Sequence, residues 1–293
     1  MHPLTFTVTP GLSGSTVKHI LTEIFLMSSS HVTRLKRREG GMTLNGAPCY
    51  VTARCSEGDV VSALISDPPL TKRLEPMEMP LDIVYEDEWL CVVNKPAGLT
   101  VHPERAGMGG SVENALTAHF NEDEFVHTVS RLDRGTSGLM TVAKCGYMHE
   151  RMISILHTPD FVKEYVGLAW GSFDEKRGFV RLPLAHPEGS NYKMEVREDG
   201  LPCVTEYEVE REYPEMVLVR LVPHTGRMHQ LRVHMAAIGH PLVGDWLYGE
   251  EVPFISHAAL HSRYLRFTHP LTGKKLEFSA PLPEDIANIL PKQ

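Results

Sequence analysis

Residues Arg131-Leu132-Asp133-Arg134-Gly135-Thr136-Ser137-Gly138-Leu139 set one carboxylate between two guanidinium side chains and follow it with four small residues. Gly135 and Gly138, with Thr136 and Ser137, favour a tight loop whose backbone can approach another group closely. Residues 139–143, Leu-Met-Thr-Val-Ala, read as the strand that anchors this loop. A carboxylate on a loop held by a rigid strand is a common seat of catalytic chemistry. The same pattern also describes an ion-pair node, and these nine residues alone do not separate the two.

Around this stretch, strands outnumber helices. Residues 81–85 and 90–93 are short β-rich runs, and 164–170 is strand-like. Residues 216–222 read as a buried strand, and 193–196 and 204–209 flank a turn at Asp199-Gly200. Residues 260–267 and 274–278 form a hairpin around Thr272-Gly273. Ser111 can cap a helix with apolar Val112, Ala115 and Leu116, and 147–157 is a second helix. A third spans 226–238 and ends at Gly239. Many strands with few, irregularly placed helices imply an α+β domain built on a mostly antiparallel mixed sheet.

Upstream, Pro68, Pro69, Pro76 and Pro80 fall within 67–80 and suggest a linker, which divides the chain into regions 1–75 and 76–293. In the first region Val17, Ile20, Leu21 and Ile24 recur at helical spacing, and 32–38 is a short basic helix. Residues 42–46 form a strand ending in Asn45-Gly46, a strong hairpin signal. Gly58-Asp59 precedes the apolar run 60–65. A small α/β domain is expected here.

The 293 residues are 42% hydrophobic and contain no apolar run long enough for a membrane span. The polar N-terminus lacks signal-peptide features, so a cytoplasmic protein with no membrane partner is expected. Five cysteines at wide spacing, with no C-x-x-C pair, argue against a disulfide framework. The net charge is −8, but residues 1–75 carry 8 basic against 6 acidic side chains, and 76–293 carry 21 against 31. Binding follows local fields more than total charge, so acidity does not exclude a nucleic-acid partner. No heptad or large apolar helix is evident, so a monomer without an obligatory protein partner is expected.

The nine-residue stretch resembles, without a gap, the signature of the RluA family of pseudouridine synthases. Three further segments fit in that family's order: Asn94-Lys95-Pro96-Ala97-Gly98 with Val101-His102-Pro103; Lys163-Glu164-Tyr165; and 224–234 followed by Gly239-His240-Pro241 and Gly244-Asp245. Two positions depart from it, Ser130 where the family usually has His and Met228 where it usually has Thr. The first region is similar to the S4 RNA-binding module, whose phosphate contacts would fall on Arg34, Lys36, Arg37 and Arg38.

The resemblance implies an enzyme that isomerises uridines in structured RNA, ribosomal more than transfer RNA, with no metal and no cofactor. It makes Asp133 the catalytic carboxylate, Arg232 its cation and Tyr165 the aromatic against the uracil. It gives Arg131 the space left by an everted nucleotide. Substrate binding falls to Lys95, Thr136, Ser137, His229 and Gln230. Whether Asp133 attacks C1′, attacks the ring or takes a proton from C2′ stays open. A non-catalytic RNA-binding protein of the same fold is the main alternative. A metal hydrolase is disfavoured, because His224, His229, His234 and His240 lack the i, i+4 spacing that sets two ligands on one helical face.

Overall fold

The computed structural model describes residues 3–67, 74–103, 110–120 and 125–291. Residues 68–73 of the expected linker and 107–109 of a Gly-rich stretch lie outside the described residues. The N-terminal region is a four-stranded antiparallel sheet of β1 (Leu4–Thr7), β2 (Met42–Leu44), β3 (Ala47–Pro48) and β4 (Val60–Ala63), in the order β1-β4-β2-β3. The Asn45-Gly46 turn forms as expected, with both φ angles positive at 53° and 80°. Helix α1 (Val17–His19) runs into a π-helical turn at Ile20–Ile24 and is followed by α2 (Ser29–Lys36).

The second region is dominated by one mixed sheet. Its strands are β5 (Asp82–Glu86), β6 (Leu90–Lys95), β7 (His127–Thr128), β8 (Ser137–Ala143), β9 (Phe161–Trp170) and β10 (Arg177–Val180). A separate ribbon pairs β11 (Leu184–Ala185) with β12 (Glu195–Val196). The sheet then takes β13 (Thr205–Glu212), β14 (Met216–Pro223), β15 (Leu260–Thr268) and β16 (Lys275–Ser279). The order is β10-β13-β14-β9-β15-β8-β6-β5, with β16 on β15 and β7 on β8. Every pairing is antiparallel except β15 with β8, which meet in parallel at His261–Ser137 and Ser262–Gly138. Helices α3 (Val112–His119), α4 (Gly146–Ile155), α5 (Gln230–Ala237) and α6 (Glu284–Ala287) complete the region. Ser111 caps α3 as expected, accepting the Asn114 amide N–H, while the Asn114 side chain returns to the Ser111 backbone.

The turn at Asp199-Gly200 forms, and the strands on either side of it pair elsewhere: Glu195–Val196 with Leu184–Ala185, and Thr205–Glu212 with Met216–Pro223. One expectation is corrected. The helix expected from Gly226 begins only at Gln230, because side-chain bonds hold 224–229 in a loop.

The two regions share a core. Val17, Ile20, Leu21, Phe25, Val32 and Leu35 pack in one apolar cluster with Leu90, Val92, Tyr147, Met148 and Met152. The buried Tyr147 hydroxyl donates to the Phe25 carbonyl at 2.7 Å, satisfying a polar group that burial would otherwise penalise. At the rim, Glu150 of α4 receives Arg34 at 3.1 Å and the Ser28 hydroxyl at 2.9 Å. Arg38 likewise bonds the Ser66 carbonyl and hydroxyl. Two of the four basic side chains expected to face phosphates are therefore engaged within the protein, and Lys36 and Arg37 remain exposed.

Gly138 sits where β8 meets β15. Its φ is 108°, and a Cβ there would lie 2.2 Å from the Ser262 carbonyl oxygen. Gly138→Ala is expected to lower the unfolding free energy by about 2 kcal/mol or more, through backbone strain and steric overlap, as measured by urea denaturation.

Candidate active site

Asp133 stands on the loop that enters β8. Leu132, buried, fixes one side of it in the sheet core beside Tyr165, Leu231 and Leu260. The Thr136 amide N–H donates to the Asp133 carbonyl at 3.0 Å and closes the turn. A second loop, after β6, clamps the first. The Gly98 N–H donates to the Arg134 carbonyl at 2.8 Å, and Arg134 Nε donates to the Gly98 carbonyl at 3.0 Å. Lys95 reaches between them, donating to the carbonyls of Pro96, Leu99 and Arg134 at 2.9, 2.8 and 3.2 Å. Burial pushes its ammonium down to about 8, with the Asp133 charge acting against the fall.

Helix α5 faces this loop. Arg232 projects a planar guanidinium, and Asp245 grips one edge of it, accepting from Nε at 2.7 Å and Nη2 at 2.6 Å. Asp245 is fully buried and also accepts the backbone N–H groups of Leu247 and Tyr248 at 3.1 and 3.2 Å. The remaining corner, Nη1, lies 3.6 Å from Asp133 Oδ2. The two carboxylates raise the pKa of Arg232 against the pull of burial. The Tyr248 ring lies beneath the guanidinium, 5.1 Å from centroid to Cζ. His229, the residue before α5, has a left-handed φ of 53° and turns Nε2 towards Asp133 Oδ1 at 4.0 Å. Burial lowers its pKa, with the Asp133 charge opposing.

Tyr165 lies on β9 opposite Ser262 of β15, and Ser262 in turn faces Gly138 of β8. Strand register therefore sets Tyr165 two strands from the root of the Asp133 loop. Its phenol is pushed up to about 12, by burial first and by the Asp133 charge as well, so it is protonated at neutral pH.

The structure brings Asp133, Arg232, His229 and Tyr165 together, and leaves Arg131 exposed beside them. Other expected substrate contacts are internal bonds instead. The three donors of Lys95 all end on carbonyls. Gln230 is also spent: its Oε1 accepts from the Thr225 hydroxyl and the Arg227 N–H, and its Nε2 donates to the Val204 carbonyl and Thr205 Oγ1. Ser137 is buried, with Oγ 2.8 Å from His261 Nδ1, and Thr136 is buried beside it. The polar side-chain atoms of Lys95, Gln230 and Ser137 are thus bonded within the protein, and Thr136 is buried. Of the two departures from the family pattern, Met228 packs against the cluster of Leu184, Met194, Cys203 and Val233.

The four histidines near α5 do not converge. His224 meets Glu206, His229 meets Tyr248, His234 lies between Thr205 and the Leu182 carbonyl, and His240 bonds the Trp170 carbonyl. Sequence reasoning passed over Asp245 and Tyr248 as functional side chains. The Gly244-Asp245 pair was the available signal: a Cβ on Gly244 would stand 2.5 Å from an Ile255 methyl, which marks a tight turn seating the acid that follows.

The chain and its fold are matched among known proteins. The model of the RNA pseudouridylate synthase family matches residues 90–237. The uncharacterized RNA pseudouridine synthase YjbO of Bacillus subtilis is 35% identical over 94% of this chain and 98% of its own. Ribosomal large subunit pseudouridine synthase D of Escherichia coli K12 is 34% identical over 98% of this chain and 93% of its own. The solved structure of human RNA Pseudouridylate Synthase Domain Containing 1 is 28% identical, covers 71% of this chain and 86% of its own, and superposes with a TM-score of 0.57. The protein is an RNA pseudouridine synthase, an isomerase. Within that class it belongs to the RluA family, as its motifs implied.

Asp245→Asn is expected to lower stability by about 3–5 kcal/mol in denaturant titrations, because Arg232 loses its ionic partner in a buried site. Replacing both partners, Arg232→Met with Asp245→Leu, should recover most of that loss, since no unpaired buried charge then remains.

Proposed function

We propose that Asp133 is the carboxylate that carries out the isomerisation, acting on a uridine turned out of structured ribosomal RNA. The observation that carries this reading is the 3.6 Å approach of Asp133 Oδ2 to the one corner of Arg232 that Asp245 does not hold. A carboxylate serving as nucleophile or base must be held at a fixed place, and the adjacent guanidinium fixes where this one stands. Its side chain is 25% exposed, whereas that of Asp245 is wholly buried, so of the two acids only Asp133 can meet a substrate.

The reaction breaks the N1–C1′ bond, turns the uracil and joins C5 to C1′; C5 loses its proton and N1 gains one, so no atoms are added or lost overall. The glycosidic carbon is out of reach inside a stacked helix, so the nucleotide must be everted, which costs a few kcal/mol. Exposed Arg131 beside the loop can offset part of this by stacking in the gap. Tyr165, buried and protonated, offers the uracil an aromatic face and a proton donor.

The Escherichia coli relative bears the name of a ribosomal large subunit enzyme and aligns with nearly the whole chain, which supports ribosomal RNA over transfer RNA. In the N-terminal region Lys36 and Arg37 are the basic side chains best placed for a backbone contact of the S4 kind, since Arg34 and Arg38 bond within the protein.

Asp133→Asn should abolish tritium release from RNA carrying 5-tritiated uridine, with RNA affinity changed by no more than a few-fold. Release near the wild-type rate would remove Asp133 from the chemistry. Mapping of pseudouridine in cells with and without the gene should find the missing sites in large-subunit ribosomal RNA; loss confined to transfer RNA would refute the substrate assignment.

A further inference from the structure

The hydroxyl of Tyr248 joins two groups that no bond in the chemistry requires to meet. The Met194 amide, at the end of the β11–β12 ribbon, donates to it at 2.9 Å. On its other side the oxygen lies 2.8 Å from Nδ1 of His229. A phenol has one proton and two acceptor positions. The amide takes one acceptor position, and among the described residues His229 Nδ1 is the only other group hydrogen-bonded to the hydroxyl. If His229 carried its proton on Nδ1, both acceptor positions would be filled and the phenolic proton would have no partner among the described residues. A proton donated from Tyr248 to Nδ1 satisfies every group. The imidazole then carries its own proton on Nε2, the atom that points at Asp133.

We infer that Tyr248 is a positioning residue that fixes the tautomer of His229, so that His229 presents a neutral Nε2–H donor to a uridine oxygen beside Asp133. The inference rests on the reading of Asp133 as the catalytic carboxylate. The 4.0 Å between Nε2 and Asp133 Oδ1 is longer than a hydrogen bond, so the N–H is not committed to the carboxylate. A uridine reaching Asp133 brings ring carbonyls and ribose hydroxyls, all acceptors, into that space. A neutral donor holds such an oxygen without adding a second cation beside Arg232, so the charge balance around Asp133 is undisturbed. Tyr248 thus serves both neighbours of Asp133: its ring lies against the Arg232 guanidinium and its hydroxyl orients His229.

Tyr248→Phe isolates the second task, since the ring stays and only the hydroxyl goes. In long-range proton–nitrogen spectra of protein labelled with nitrogen-15 histidine, His229 signals are assigned by their loss in His229→Gln. The wild type should show the Nε2–H tautomer and Tyr248→Phe a mixture. Removing this orientation should lower kcat by about tenfold or more while KM stays within about twofold, the signature of an interaction made in the transition state. His229→Gln can place an amide N–H where Nε2–H stands, whereas His229→Asn places it nearer Nδ1. The Gln variant should therefore keep more of the wild-type kcat. Asn suits the left-handed backbone at 229 better than Gln, so this order cannot arise from strain.

A wild-type proton on Nδ1 would overturn the inference, as would Tyr248→Phe with kcat within about twofold of wild type, or Asn matching Gln. Should Tyr248→Phe fail to fold, the wild-type tautomer and the Gln-against-Asn order still decide. The tautomer is read without turnover, so its failure is distinct from a failure of the Asp133 assignment, which only an active Asp133→Asn would bring down.

Discussion

One guanidinium holds the site together. Arg232 is shared by two carboxylates of unequal station: Asp245, sealed in the core with four hydrogen bonds, and Asp133, partly exposed with one looser approach. The inequality matters. A cation bound equally to both would be free to follow either, and the position of Asp133 would be soft. With Asp245 locking one edge and Tyr248 lying beneath the plane, only one corner of the fork is left to face the loop. Burying Arg232 and Asp245 is tolerable because the pair satisfies its own geometry in full, and breaking such a pair costs more than it contributes when intact.

The loop bearing Asp133 needs its own support, and bonds to backbone carbonyls supply part of it. Lys95 is buried with each of its three donors on a carbonyl oxygen, two of them in its own loop and one in the neighbouring loop. It acts as a rivet between two turns rather than as a ligand group. The mutual bonds of Gly98 and Arg134 do the same at the outer edge. At the base, the parallel contact of β8 and β15 is so close that only glycine fits at 138. These features share a purpose: a side chain on an irregular segment is held with the precision of a strand residue.

How far the residue order foretold this can be judged position by position. Alternating and apolar runs gave most strands of the main sheet, because burial imposes a period that the chain must show. Asp133, Tyr165 and Arg232 were singled out through the resemblance, by three separate segments, the last of which departs from the family pattern at Met228. The helix at 226–238 was begun four residues too early, since Thr225 and Arg227 both bond the Gln230 side chain and their spacing gives no hint of it. The Asp199-Gly200 turn was readable from its own two residues, whereas the strands that pair with its flanks lie elsewhere in the chain and leave no local mark. Lys95, Ser137 and Gln230 show the deeper limit. A motif marks where selection of residue type is strict, and polar atoms that build a loop are written in the same letters as polar atoms that touch a ligand.

The common core beneath α4 has a consequence of its own. The hydroxyl of Tyr147 on the Phe25 carbonyl, the Arg34–Glu150 pair and the apolar contacts around them weld residues 3–67 to the catalytic sheet. A module on a loose tether would only raise the local concentration of whatever it held. A welded one works as a caliper: any group on its outer face stands at a set span from Asp133.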